Sequence, residues 1–145
     1  MVSQISYLLD TNIISELAKP QPNSAVLQQF YVAQHEISIS SIVWHELRFG
    51  WLRMPDGQRK QLITKFLHDV VSLIPILDYD AQAAKIHAEI RIQTQKMGNN
   101  IPFVDGQIAA IAMAQGLILV TRNTKDFQAI EGLRQINWFT DTIDR

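Results

Sequence analysis

Apolar and polar positions follow two alternating patterns along this chain. Short, mostly apolar runs predict strands at residues 5–9, 37–39, 73–77, 117–120 and 136–139. Stretches with apolar residues three and four positions apart predict helices, at residues 13–19, 24–34, 41–54, 58–71, 80–97, 102–115 and 125–130. Because strands that alternate with helices form right-handed crossovers, we expect an α/β fold with a central parallel sheet between two layers of helices. The length fits a single domain over residues 1–145.

The ends of the predicted elements carry typical cap and edge residues. Helix N-caps are expected at Thr11 or Asn12, at Asn23 or Ser24, at Ser40 or Ser41, and at Asp80. Pro75 has no backbone N–H to donate, so the strand at 73–77 is expected at an edge of the sheet. The two most apolar strands, 5–9 and 117–120, are expected at its centre. Their carboxyl ends carry Asp10 and residues 121–123.

The composition narrows the possible classes of protein. Hydrophobic residues make up 47% of the chain and charged residues 19%, as in ordinary soluble globular domains. We find no signal peptide and no apolar stretch long enough to cross a bilayer, and therefore expect a cytoplasmic protein without a membrane partner. The absence of cysteine excludes a disulfide framework, a thiolate metal site and a cysteine nucleophile. A net charge of −1 argues against a dedicated nucleic-acid binder, but not against an enzyme that meets phosphates at a metal site.

Two acidic residues follow the predicted central strands. Asp10 comes directly after the first strand, at the sheet edge where open parallel sheets bind ligands. Asp126 lies in the first turn after the strand at 117–120. Either residue could simply cap a helix. Asn123 and Thr124 could take over that capping role, which would leave Asp126 free to face a cleft.

Two further acidic residues lie on faces of helices that are predicted to be buried. The neighbours of Glu46 at helical spacing are Ile42, Val43, Phe49 and Gly50. The neighbours of Asp105 are Ile101, Ile108, Ala109 and Ala112. A carboxylate is rarely buried without a partner, which favours a functional role. The alternatives are a salt bridge from Glu46 to Arg48 or Arg53, and an Asp105 that only stabilises its helix dipole.

The four carboxylates together predict a metal site. At an effective dielectric of about 20, two charges about 4 Å apart repel by roughly 4 kcal/mol, so such a cluster requires protons or cations. Oxygen ligands favour Mg²⁺ or Mn²⁺, which orient water and neutralise phosphate oxygens in phosphodiester cleavage. We expect Asp10, Glu46 and Asp105 to hold the principal ion. Asp126 would help to hold a second ion or would position the attacking water.

The residues around these acids fit the same interpretation. We expect the hydrogen-bond donors that support the acidic residues to be Thr11, Asn12, Thr121 and Asn123. Arg122 and Lys125 flank the predicted site and could contact a phosphate chain, although solvated surface charge is an equal alternative.

Four stretches resemble the PIN-domain ribonucleases, and most closely the VapC-type toxins of bacterial toxin–antitoxin pairs: residues 8–12, the helix of Glu46, residues 104–112 and residues 120–127. The resemblance implies a PIN-like three-layer fold and a homodimer with Mg²⁺- or Mn²⁺-dependent endoribonuclease activity. It also implies inhibition by an antitoxin whose partly disordered tail obstructs the acidic site. The family's acidic positions fall on Asp10, Glu46, Asp105 and Asp126, and its hydroxyl or amide on Thr121 or Asn123. Some members carry an acid where this chain has Asn123, which leaves a second metal position open.

By the same resemblance, the helices that start near residues 13, 23, 42 and 58 form the antitoxin groove, with Trp44, Trp51 or Leu52 as apolar anchors.

Two other functions compete with this interpretation. A dehalogenase-like phosphohydrolase also uses an aspartate after its first strand, but needs a second acid two residues later, where this chain has Asn12. A catalytically silent PIN module that only binds a partner or nucleic acid would not need all four acidic residues.

Overall fold

A computed structural model describes residues 4–141, and five parallel strands form one sheet within that range. The strands are β1 (Tyr7–Leu9), β2 (Ile37–Ser40), β3 (Ile76–Leu77), β4 (Ile118–Val120) and β5 (Gln135–Ile136). Their order across the sheet is β3-β2-β1-β4-β5, and every neighbouring pair is parallel. The predicted α/β fold is therefore confirmed, with β1 in the middle of the sheet and β4 beside it. The predicted single domain covers residues 1–145, and both of its ends lie outside the described residues.

Helices connect the strands and cover the sheet. They are α1 (Thr11–Leu17), α2 (Ser24–Val32), α3 (Ser41–Arg53), α4 (Gln58–Asp69), α5 (Ala81–Lys96), α6 (Phe103–Ala114) and α7 (Thr124–Phe127). Between residues 4 and 141, no helix is both long and apolar enough to cross a membrane.

The predicted N-caps of α2, α3 and α5 are observed, whereas α1 is capped by Asp10 and the prediction of Thr11 or Asn12 was wrong. Asn23 accepts hydrogen bonds from the backbone nitrogens of Ala25 and Val26, at 2.9 and 3.1 Å. Ser40 accepts from the backbone nitrogen of Val43 at 3.0 Å. Asp80 likewise caps α5 through the third residue of that helix. These caps fix where α2, α3 and α5 begin.

Both edge strands are shorter than predicted. Leu73 ends a 3₁₀ turn, Val71–Leu73, and only Ile76–Leu77 pair with β2. At the other edge the strand begins at Gln135 and ends at Ile136, so that residues 137–139 leave the sheet. An edge strand pairs with a neighbour on one side only, so fewer of its residues are held in the sheet than the apolar run in the sequence suggests. Trp138, which was predicted to lie in this strand, is instead a fully buried core residue that follows it.

The core places the ends of β1 and β4 side by side. Leu8, Leu9, Leu119 and Val120 are fully buried, as expected for central parallel strands. Leu9 pairs with Val120, and the next backbone N–H, that of Asp10, donates to the carbonyl oxygen of Val120 at 2.9 Å. The residues that follow the two strands therefore meet at one edge of the sheet.

Candidate active site

Asp10 is fixed in the fold by hydrogen bonds to both of its carboxylate oxygens. Oδ1 accepts from the backbone N–H of Thr11 at 2.8 Å, which makes Asp10 the N-cap of α1. Oδ2 accepts from the Thr121 hydroxyl at 2.8 Å and from the Asn12 amide at 3.4 Å. Burial raises the pKa of Asp10 and outweighs these hydrogen bonds, and the charge of Asp126 adds to the rise. Asp10 therefore does cap a helix, as the alternative interpretation predicted, but capping uses only one of its two carboxylate oxygens.

The segment after β4 supports Asp10 from the other side. The hydroxyl of Thr121, which is fully buried, accepts from the backbone N–H of Asn123 at 3.1 Å and from the Asn12 amide at 3.4 Å. The amide oxygen of Asn12 accepts from the backbone N–H of Arg122 at 3.1 Å. One hydrogen-bonded network therefore ties the loop after β4 to the start of α1.

Glu46 is exposed, so the prediction that it lies on a buried helix face was wrong. Val43 is buried, but Phe49 and Gly50 are exposed like Glu46. The helical pattern identified one face of α3, but the packing of neighbouring elements covers only part of it. Within residues 4–141 the Glu46 carboxylate forms no salt bridge, because Arg48 stacks on tryptophan rings instead. Partial burial of the carboxyl group and the charge of Asp10 raise the pKa of Glu46.

Asp105 is half-buried in the first turn of α6, as its apolar neighbours predicted. Its pKa is raised from 3.8 to about 6. Burial is the largest cause, followed by the negative charges of Asp10, Asp126 and Glu46 in that order. The fold thus brings all four predicted acidic residues close enough to interact electrostatically.

Three of these carboxylates line one cleft of about 440 Å³, namely Asp10, Glu46 and Asp105. The other lining residues are Thr11, Asn12, Ser15, Val104, Ile108 and Asn123. Asp126 is exposed in α7 and does not line the cleft, although its charge acts on Asp10 and Asp105. The sequence interpretation missed Ser15, which lies one helical turn after Thr11; that spacing was the available signal.

The donor chemistry of the cleft fits a hard divalent cation, because it consists of carboxylate, amide and hydroxyl oxygens. Burial is the largest cause of the raised pKa values of Asp10, Glu46 and Asp105, and the charge of at least one other acidic residue adds to each rise. As the side chains stand, no three acidic or histidine residues between positions 4 and 141 are placed to hold one ion. Ion binding therefore requires the partly exposed side chains of Glu46 and Asp105 to move towards Asp10.

The two predicted phosphate contacts, Arg122 and Lys125, are both exposed. The Arg122 guanidinium lies over the Phe139 ring, 4.3 Å from its centroid. Its charge also lowers the pKa of Glu16, after the larger effects of Lys19 and of the Asn23 backbone N–H. Arg122 is thus held beside the site by a ring, whereas Lys125 extends into solvent.

Glu16 is a buried acid that the sequence interpretation did not identify. Its carboxylate accepts from Lys19 Nζ and from the backbone N–H of Asn23, both at 2.8 Å. These contacts tie the end of α1 to the start of α2. Glu16 is therefore a structural carboxylate with partners of its own, and it does not line the cleft.

Comparison with known proteins gives consistent matches in sequence and in structure. The sequence model of the PIN domain matches residues 7–133. Over 134 residues the chain is 35% identical to the tRNA(fMet)-specific endonuclease VapC of Shigella flexneri, covering 92% of this chain and 98% of that protein. It is 38% identical over 134 residues to the VapC ribonuclease Y4jK of Sinorhizobium fredii, covering 90% and 95%.

A similar solved structure is that of DNA-bound VapBC from Salmonella typhimurium. The match has a TM-score of 0.82 and 29% sequence identity, and it covers 93% of this chain and 99% of the matched chain. Sequence and fold therefore point to the same group of proteins.

Proposed function

This chain belongs to the PIN-domain family, among the VapC-type ribonuclease toxins, and from that premise we propose that it cleaves RNA with a divalent metal ion held by Asp10, Glu46 and Asp105. One observation carries the proposal: Asp10, Glu46 and Asp105 line one cleft, and the charge of Asp126 also acts there. Four carboxylates contributed by separate elements share one electrostatic field at the end of the central strands. A cation would relieve that repulsion.

Each residue of the site has a proposed role in cleavage. Bound Mg²⁺ or Mn²⁺ would neutralise phosphate oxygens and orient the attacking water. Asp10, held by Thr121 and Asn12, provides the fixed ligand against which Glu46 and Asp105 close. Asp126 would hold a second ion or position the water from the rim. Arg122 and Lys125 would contact phosphates beside the scissile bond, and Thr11 and Asn123 would support the ligands.

The Glu46→Gln variant tests this proposal directly. We expect cleavage of total RNA, mapped by sequencing of the new 5′ ends, to fall about 10²-fold or more because a ligand charge is lost. Glu89→Gln, on the exposed face of α5, is the matched control and should cleave like the wild type. An unchanged cleavage map in Glu46→Gln would remove Glu46 from the site.

The phosphohydrolase alternative gains no support from the geometry. Position 12 would have to donate a proton to a leaving group, but the Asn12 amide donates to Asp10 and its oxygen accepts from Arg122. A covalent aspartyl-phosphate trapped on Asp10 would favour the phosphohydrolase. RNA cleavage without such an intermediate favours the nuclease.

We propose an antitoxin as the protein partner, in keeping with the VapBC structure that this chain resembles. An apolar groove of about 190 Å³ lies between α1, α3 and α4, lined by Ile14, Leu47, Trp51, Ile63, Phe66 and Leu67 among others. Thr11, Ser15 and Glu46 line both this groove and the acidic cleft. A peptide seated in the groove would therefore extend over the catalytic carboxylates, which explains how an antitoxin could block them. Such a complex would form in the cytoplasm, where toxin, antitoxin and RNA meet.

The three candidate anchors differ in position, which makes the groove testable. Trp51 lines the groove and also a neighbouring hollow that it shares with Trp44 and Arg48, whereas Leu52 is exposed. We expect Trp51→Ala to weaken antitoxin binding at least tenfold, as loss of a buried aromatic anchor does. Trp44→Ala should change the affinity less. Calorimetry with the purified antitoxin gives the comparison, with RNA cleavage as the folding control, and unchanged affinity in both variants would rule out this groove.

We also propose a homodimer. Several large apolar side chains of α5 and the first turn of α6 are exposed in the described part of the chain, among them Ile92, Phe103 and Val104. Sites of this kind commonly mark protein interfaces. Sedimentation of the antitoxin-free protein would show whether they pair two copies.

A further inference from the structure

His87 of α5 is buried directly beneath the start of α6, next to the predicted metal ligand Asp105. The side chain is 2% exposed, and Nδ1 shares a 2.8 Å hydrogen bond with the Tyr79 hydroxyl. Its ring packs edge-on against Tyr79 and Phe103, with centroids 5.8 and 4.7 Å apart. Burial lowers the pKa of His87, as does the charge of Arg91. The position and the tilt of this ring are therefore fixed by its neighbours.

The other edge of the His87 ring meets Gly106. A Cβ atom built on Gly106 would lie 2.6 Å from Nε2 and 2.8 Å from Cδ2, closer than non-bonded atoms approach. Nε2 has no hydrogen-bond partner between residues 4 and 141, so it faces the glycine backbone alone. Glycine is unfavourable inside a helix, and Gly106 does not have a positive φ that would require it. The space taken by the ring is what requires glycine here.

Gly106 directly follows Asp105, so this contact bears on the acidic cleft. A side chain at position 106 could be accommodated only if α6 moved away from α5 or if the His87 ring gave up its contacts with Tyr79 and Phe103. The first change would move the turn that carries Asp105, and the second would remove the packing of Phe103, in that same turn, against the ring. In a metal site, a displacement of about 1 Å is enough to weaken ligation.

We propose that His87 and Gly106 are positioning residues: their direct contact sets how deeply the first turn of α6 packs against α5, and thereby how far Asp105 reaches towards Asp10 and Glu46. The consequence for metal binding rests on the proposed nuclease function. The contact itself is a property of the fold.

The test compares Gly106→Ala with the double variant His87→Ala/Gly106→Ala, each made in the whole chain. Gly106→Ala should weaken Mn²⁺ binding at least tenfold in calorimetry and lower kcat for RNA cleavage while KM stays near the wild-type value. His87→Ala/Gly106→Ala should recover most of the Mn²⁺ affinity, because the methyl group then occupies space that the ring has left. Gly50→Ala is the folding control, since its Cβ meets nothing within 4 Å, and it should not lower the melting temperature.

Two results would overturn the proposal: wild-type Mn²⁺ affinity in Gly106→Ala, or a double variant no better than Gly106→Ala. If Gly106→Ala does not fold, the double variant must fold and bind Mn²⁺, and its failure to do so would equally reject the contact.

A metal-free readout separates this proposal from the nuclease proposal. In crystal structures without metal, the distance between the Asp105 and Asp10 carboxyl groups should change in Gly106→Ala and return in the double variant. An unmoved Asp105 would reject the positioning role whatever the enzyme does. A wild-type protein that neither binds Mn²⁺ nor cleaves RNA would reject the nuclease but would leave that distance to decide on His87 and Gly106.

Discussion

Asp10→Asn is expected to abolish RNA cleavage while leaving the protein about as stable as the wild type. Cleavage should fall on the order of 10³-fold or more, because this substitution removes charge from the best-fixed of the proposed ligands. The amide keeps the shape of the side chain and an oxygen for the Thr11 N–H. It alters the hydrogen bond with the Thr121 hydroxyl, at a cost of about 1 kcal/mol. Loss of a buried charge whose pKa is raised offsets that cost.

The measurements are cleavage of a defined RNA, growth arrest on expression, and thermal unfolding. Asp56→Asn is the matched control, because Asp56 is an exposed aspartate in the turn before α4, and all three readouts should stay at wild-type values. If Asp10→Asn retained both toxicity and RNA degradation, this chain would be a binding module without catalysis. A large drop in stability would instead show that Asp10 serves mainly as a helix cap.

The sequence predicts Asp10 from a local pattern, but predicts Thr121 as its partner only through the expected order of the strands. An apolar run followed by an acid at the carboxyl end of a central strand is a local pattern, and it places Asp10 at the sheet edge. Thr121 lies 111 residues further along the chain. Its hydroxyl reaches Asp10 because β1 pairs with β4 in the register that joins Leu9 to Val120. Strand order supplies that contact, and no local spacing encodes it.

Glu46 shows a different limit of sequence reasoning. Its neighbours at helical spacing are apolar, which correctly groups Val43 and Glu46 on one face of α3. Which part of that face is covered depends on the neighbouring elements, and these leave Phe49 exposed along with Glu46. The reason first given for a functional Glu46, a carboxylate buried without a partner, was therefore wrong. Its position in the cleft beside Asp10 is a better reason.

The contact between His87 and Gly106 could not be predicted at all. A histidine on an apolar face and a glycine in a helix are each unremarkable in a sequence. Only the packing of α5 against α6 shows that the ring takes up the space of a side chain at position 106. The sequence thus singles out the acidic residues of the cleft more readily than the residues proposed to hold them in place.

The metal-free protein is expected to lose stability as the pH rises from about 4 to about 6. Asp105 has a pKa of about 6 in the folded protein against 3.8 as its ordinary value, and the pKa values of Asp10 and Glu46 are raised as well. Between these values the folded state binds more protons than the unfolded state, so the free energy of unfolding falls with rising pH. Glu16 and His87 have lowered pKa values and act in the opposite direction. The difference between the wild type and Asp10→Asn/Asp105→Asn isolates the acidic site.

Divalent ions should reverse that loss, and only where the carboxylates are ionised. An ion that binds the folded state alone stabilises it by about 2.7 kcal/mol at 100 times its dissociation constant. We therefore expect Mn²⁺ to raise the melting temperature strongly above pH 6 and only slightly near pH 4, where protons occupy Asp105. The Asp10→Asn/Asp105→Asn variant should melt at a temperature that does not depend on Mn²⁺. A response to Mn²⁺ that survived in this variant would place the ion elsewhere on the protein, and the raised pKa values would then describe an acidic cleft that binds no metal.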